Sequence, residues 1–230
     1  MSVHYIKKFQ KCIFSFLWNG KVEPLARKTA HLSKLSGGLN VVNIDLKLKA
    51  LRLKHMQDIV NNKDVKFVKF SVYWMGYSLR CYNNKLASLT IPHSDLLSPF
   101  YSYCLHVLKL FKDKCTDNEI GCLSTKILYN LLLESEEYVP IIVQRSPNTE
   151  FKFVFKNIFD KFIDKFSRDI MFKIVHRILP VNSLMFNYNI YKCNKCTFCA
   201  RSPETLQHLY LNVKMYLSCG FANKLDIFSF

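Results

Sequence analysis

Three residues near the end of the chain have spacing that could do chemistry: Cys196 and Cys199, with two residues between them, and His208, with eight residues between it and Cys199. A C-x2-C pair sets two thiolates on one tight turn, where both can face a single ion. A histidine after a short loop can close on the same ion from the other side. A structural zinc takes four N or S ligands in a tetrahedron. In a zinc knuckle the fourth ligand would stand five positions after His208, at Val213, and valine binds no metal. Cys219 is the first substitute and Cys193 the second. Cys219 needs a longer loop, and Cys193 would make a crowded C-x2-C-x2-C run. The expectation is a weakened zinc site built on Cys196, Cys199, His208 and Cys219; the competing reading is a set of free thiols with no metal. No two aspartates are adjacent anywhere in the chain. No Ser-His arrangement, phosphate-cradling loop or other carboxylate pair stands out, so no catalytic residue is assigned.

The remaining chemistry is charge. Thirty-three Lys and Arg against 17 Asp and Glu give a formal net charge of +16. Such an excess points to a polyanionic partner, either nucleic acid or an anionic membrane surface. A lysine-rich solvated surface is the plainer explanation. No apolar run is long enough to span a bilayer, so no membrane partner is expected. The first 18 residues mix Lys with apolar side chains and lack acids, as a transit peptide would. They also lack Arg and a small-residue cleavage site, and they do not fit a secretory signal. Nine cysteines, an odd number and mostly scattered, suit a reducing intracellular setting, nucleus or cytoplasm.

The elements that must position these groups read as helices. Ile6, Phe9, Ile13, Phe16 and Leu17 recur at helical spacing, and Gly20 is a stop signal. Gly37-Gly38 marks a tight turn. A second helix is expected to start after Asn43 or Asp45. It would bury Leu46, Ala50, Leu53 and Val60, carry Lys47, Lys49, Arg52 and Lys54, and end at Asn61-Asn62. Residues 63–92 fit strand or helix equally well. A helix opening at Pro92 or Ser94 would align Leu97, Tyr101, Cys104, Leu108 and Phe111, and close at 116–118. Ser124 is an N-cap for a helix from Thr125 to Ser135, with Leu128, Leu131 and Leu132 inward. After a connector from Pro140 to Pro147, the longest helix is expected from Phe153 to Leu179. Phe155, Phe159, Phe162, Phe166, Ile170 and Ile174 would form a buried stripe, with Lys156, Lys161, Lys165, Lys173 and Arg177 off it, and Pro180 would stop it. The fold class is therefore mainly α: irregular helical domain or domains with a small C-terminal zinc-knuckle-like segment. Three segments follow: a basic helical 1–62, a helical 63–180 and a zinc-binding 181–230.

The order of these pieces resembles the C-terminal, non-catalytic region of LINE-type (non-LTR) retrotransposon reverse transcriptases. Phe16-Leu17-Trp18-Asn19-Gly20-Lys21 followed by Gly37-Gly38-Leu39-Asn40-Val41 is similar to that family's stretch after the polymerase domain. Lys126-Ile127-Leu128-Tyr129 resembles its K-x-h-Y helix. Lys173 through Pro180, with His176-Arg177, resembles the element before its zinc-binding segment. Cys196, Cys199, Glu204-Thr205 and His208-Leu209 resemble that segment itself. The resemblance implies a remnant without polymerase or endonuclease activity that holds RNA or single-stranded DNA. Lys47, Lys49, Arg52 and Lys54, with Lys161, Lys165, Lys173 and Arg177, would face phosphate. A decayed reading frame and a protein-interaction module are the alternatives.

Overall fold

The structure is a computed structural model and describes residues 3–61, 66–80, 82–89, 96–112 and 123–212. Cys219 and Val213 lie outside them, as do the Pro92/Ser94 helix start and the 116–118 stop. In chain order the helices are α1 (Val3–Leu17), α2 (Arg27–His31), α3 (Ile44–Val60), α4 (Lys66–Leu79) and α5 (Pro99–Lys112), then α6 (Thr125–Glu134), α7 (Ile141–Arg145), α8 (Phe151–Ile158), α9 (Lys165–Val175) and α10 (Asn182–Asn187). Short 3-10 turns cover Lys34–Ser36 and Asn84–Leu89, and a π-type turn covers His208–Asn212. Among the described residues the only β pairing is an isolated antiparallel bridge, Lys195 with Pro203. The fold is mainly α, as the hydrophobic periodicity implied. Among the described residues, no helix is long and apolar enough to cross a membrane.

Two compact units divide the chain: Met1–Val22 with Asn40–Tyr138, and Glu23–Leu39 with Val139–Phe230. In the first, α3 is the hub. The Asn43 side chain accepts from the backbone N–H groups of Asp45 and Leu46 at its start, and Asn61 closes it. This is the ordinary N-cap service of a short polar side chain to unpaired amides. Leu53, Met56 and Ile59 of α3 meet Val68, Val72, Met75 and Leu79 of α4, Val107 and Leu108 of α5, and Leu128 of α6 in one buried cluster. Each such side chain contributes about 1.5–3 kcal/mol when fully buried. Tyr129 ties α6 to the entry of α3: its hydroxyl accepts the Asn43 backbone N–H at 3.0 Å. The Ser124 cap of α6 is also present, with Ser124 Oγ accepting from Ile127 N–H.

α1 ends where glycine dictated. Asn19 and Gly20 take positive φ values of 51° and 70°, and Gly20 N–H closes on Ser15 O at 2.7 Å. Its buried side differs from expectation, however. Phe14 is buried and Ile6, Gln10 and Ile13 half-buried, whereas Phe9 and Phe16 face solvent.

The second unit corrects the sequence reading most. No single helix runs from 153 to 179. α8 and α9 are separate, because Asp160 accepts from Phe162 N–H and Asp164 accepts from Phe166 and Ser167 N–H, all at 2.9 Å. Aspartate competes with helical carbonyls for these amides, and the chain turns. Arg168 pins the turn by donating to the carbonyls of Asp160 and Ile163. The helical register is lost, so the expected stripe splits. Phe155 and Ile174 are buried, but Phe162 is 85% exposed and Phe166 74%. α9 stops at Val175, before Pro180: Arg177 is left-handed (φ 57°) and Ile178 N–H returns to Lys173 O at 2.8 Å. The Pro140–Pro147 connector contains α7.

At the Gly37-Gly38 turn, Gly37 has φ +81°, Gly38 N–H donates to Ser33 O at 2.8 Å, and Leu39 N–H donates to Ala30 O. The fully buried Phe155 ring lies over Gly37 and stacks on Phe151 and His176.

Candidate metal centre

Residues 194–204 form a small knuckle. Cys196 N–H donates to Ser202 O and Glu204 N–H to Asn194 O, both at 2.8 Å, which makes a short antiparallel return around the C-x2-C turn. Ala200 completes the turn with a left-handed φ of 54° and donates its N–H to Cys196 O. Thr205 then begins the next turn: its Oγ1 accepts from His208 N–H at 3.0 Å, and its carbonyl accepts from Leu209 N–H. That turn returns His208 to the thiols.

The ligand atoms of Cys196, Cys199 and His208 lie within 4.8 Å of one another, and Cys199 Sγ is 3.2 Å from His208 Nε2. Cys196 is buried; the other two are half-buried. Backbone hydrogen bonds from Ser202 and Arg201, reinforced by His208 and Cys196, lower the Cys199 thiol to a pKa of about 6. Thiolate is the metal-binding form, so Cys199 meets that condition at neutral pH. Cys104 contrasts with it: burial in the first unit pushes that thiol up to about 11. Cys193 is exposed, accepts from Lys195 N–H at 3.4 Å and does not join the three donors.

Glu204 is the organising residue that the sequence did not single out for this role. Its buried carboxylate accepts Asn182 N–H at 3.0 Å, Thr197 N–H at 2.9 Å and the Asn182 amide at 3.3 Å. Asn182 Nδ2 also donates to Lys195 O at 2.8 Å, and Ser183 Oγ donates to Glu204 O at 2.6 Å. Burial alone would raise the Glu204 pKa; the bonds from Thr197 and Asn182, with His208 nearby, hold it below the ordinary value. Glu204 thus fastens α10 to the loop between the two cysteines. Glu204→Ala is expected to weaken metal binding tenfold or more, as loss of outer support around metal ligands does. Cobalt(II) titration followed by the thiolate charge-transfer band measures this, and wild-type affinity in the variant would refute the role.

The basic candidates fall into different settings. On α3, Lys47, Lys49, Arg52 and Lys54 are all half-buried. Lys49 pairs with Asp45 at 2.7 Å, Lys54 with Asp58 at 3.7 Å, and Arg52 lies over the Tyr103 ring, 4.4 Å from its centroid. In the second unit Lys161, Lys165 and Arg177 are exposed, Lys161 above the Phe162 ring, while Lys173 pairs with Asp169. Four of these residues thus belong to the first unit and four to the second. The chain matches no protein-family model, no curated protein and no solved structure.

Proposed function

We propose that this chain is a zinc-organised, basic helical module that binds single-stranded nucleic acid, RNA first, in an intracellular reducing setting, and performs no catalysis of its own. The reading follows its resemblance to the non-catalytic end of LINE-type reverse transcriptases. The observation that carries it is the convergence of Cys196, Cys199 and His208 in a chain of net charge +16. Zinc bonds of about 2.3 Å to sulfur and 2.1 Å to nitrogen set tetrahedral S-to-N separations near 3.6 Å. The 3.2 Å separation of Cys199 from His208 needs only a small adjustment to reach that value. Zinc would supply structural closure of the knuckle.

An intact structural zinc site contributes about 10–16 kcal/mol of apparent binding energy, so one lost thiolate removes a sizeable share. Zinc titration is expected to rank Val213→Cys tightest, then wild type, then Cys199→Ser. Cys219→Ser tests the first substitute for the fourth ligand. If Val213→Cys binds no tighter than wild type, the knuckle register is wrong. RNA affinity is expected to fall steeply with salt, by about one unit of slope per phosphate contact. Binding that is absent at low salt, or indifferent to salt, would overturn the nucleic-acid reading. Primer extension on an RNA template should yield no product; extension that survives repurification would refute the non-catalytic reading. Phe16 (90% exposed) and Phe162 (85%) favour a second reading, protein docking, for which affinity would survive high salt.

A further inference from the structure

α4 turns out to be a helix with two unlike faces. Val68, Val72, Met75 and Leu79 point into the core of the first unit. The opposite face carries Phe67, Phe70, Tyr73 and Tyr77, with Lys66, Lys69 and Arg80 among them, and Trp74 borders it, partly buried against the core cluster. Residues 66–80 contain no carboxylate. Phe70 is 69% exposed, Tyr73 49%, Phe67 48% and Tyr77 42%, while Trp74 is half-buried. Several of these rings are held by neighbours. The Arg80 guanidinium sits 4.6 Å from the Tyr77 centroid, Tyr73 meets Trp74 edge-on at 5.5 Å, and Phe67 stacks on His55 at 5.5 Å.

We infer that this face of α4 is a base-stacking platform for a single strand, and so the place where the nucleic-acid binding proposed above is concentrated; the inference rests on that reading. Three features select this occupant. The exposed apolar side chains of the face are all aromatic, with no exposed Leu, Ile or Val such as a helical protein partner would pack against. Residues 66–80 carry Lys66, Lys69 and Arg80 and no Asp or Glu, so the sequence charge of the helix is positive and complements phosphate. Finally, the axial steps from Phe70 to Tyr73 and from Tyr73 to Tyr77 are about 4.5 and 6 Å at helical rise. Both exceed the ~3.4 Å repeat of a stacked strand, so the rings match splayed bases rather than a duplex. Base–aromatic stacking is sequence-tolerant because every base offers a π face. The platform is thus expected to bind pyrimidine and purine strands alike.

The test uses the full chain and two labelled probes: an oligouridylate of roughly 12 nucleotides, within known single-strand site sizes, and an abasic ribose-phosphate oligomer of the same length. Fluorescence anisotropy at low salt is expected to show about tenfold or greater preference for the base-bearing strand. Phe70→Ala and Tyr73→Ala should each weaken oligouridylate binding by about tenfold and leave abasic binding unchanged. Phe16→Ala, another exposed aromatic, should alter neither. If wild type binds neither probe, the nucleic-acid reading fails and this inference fails with it. If wild type binds both probes equally, or the α4 variants match it, the platform is refuted and charge-driven binding stands. If the variants keep RNA affinity but lose a self-association seen by sedimentation, the face belongs to a protein interface and the inference is overturned.

Discussion

Replacing Gly38 by alanine is expected to destabilise the second unit by about 3 kcal/mol or more. A Cβ on Gly38 would lie 2.0 Å from the Leu32 carbonyl oxygen and 2.4 Å from its carbon. Those are backbone atoms, so no side-chain rotation relieves the contact. Moving the backbone strains the Gly38–Ser33 and Leu39–Ala30 hydrogen bonds. Overpacking costs about 1–3 kcal/mol, and each lost hydrogen bond about 1 kcal/mol. Gly37→Ala should approach the same loss by a different route. Left-handed φ costs an L-residue about 1–2 kcal/mol, and the new methyl would meet Phe155 Cζ at 2.6 Å. That ring is boxed by Phe151 and His176 and cannot swing away freely. Urea denaturation of both variants measures the effect. Midpoints equal to wild type would mean that the turn is not built as described.

Acidification from pH 6.5 to 4 is expected to weaken the same unit by on the order of 3 kcal/mol through His176 alone. Its ring packs between Phe155 and Phe172, with centroids at 5.5 and 4.4 Å, and Nε2 is buried without a hydrogen-bond partner. Burial lowers its pKa from 6.5 to about 4, against the opposing pull of a hydrogen bond to the Gly37 backbone. In this window the unfolded chain binds a proton that the folded chain refuses, so stability falls as pH falls. The contribution is fully present above pH 6.5 and is exhausted below about 4, where both states are protonated. His55, also lowered by burial, acts in the same direction on the first unit. The informative quantity is therefore the difference in pH slope between wild type and His176→Phe, measured with a chelator present so that metal release from His208 does not contribute. Equal slopes would refute the assignment.

Local chemistry made part of this structure legible before any coordinates. Asn43, Ser124 and Gly20 marked ends because caps and left-handed stops act on adjacent amides. The Cys196, Cys199 and His208 spacing worked for the same reason, since a tight turn and a short return leave little freedom. Long-range context was not legible. The stripe from Phe155 to Ile174 kept helical spacing straight through Asp160 and Asp164, and only their side chains, turned back onto the backbone, show that the period is broken. A polar residue that recurs as a cap inside an aromatic run was the available signal. In α4, outward aromatics masked the Val68, Val72, Met75, Leu79 ladder, so periodicity could not separate helix from strand. Glu204 looked like a motif letter; its buried acceptor role depends on Asn182, which lies 22 residues away in the chain.

The assignment of residues 23–39 to the same unit as residues 139 onward has a consequence for biosynthesis. The Gly37-Gly38 turn leaves the ribosome long before Phe155 and His176, the rings that close over it. Bringing the two pieces together closes a loop of about a hundred residues, and such non-local pairing is slow because chain entropy is lost before contacts compensate. Translation halted near Tyr138 would leave Leu25 and Ala30, buried in the finished unit, without the second piece of their core. Nascent chains of that length are natural clients for chaperone capture and proteolysis until the second half arrives.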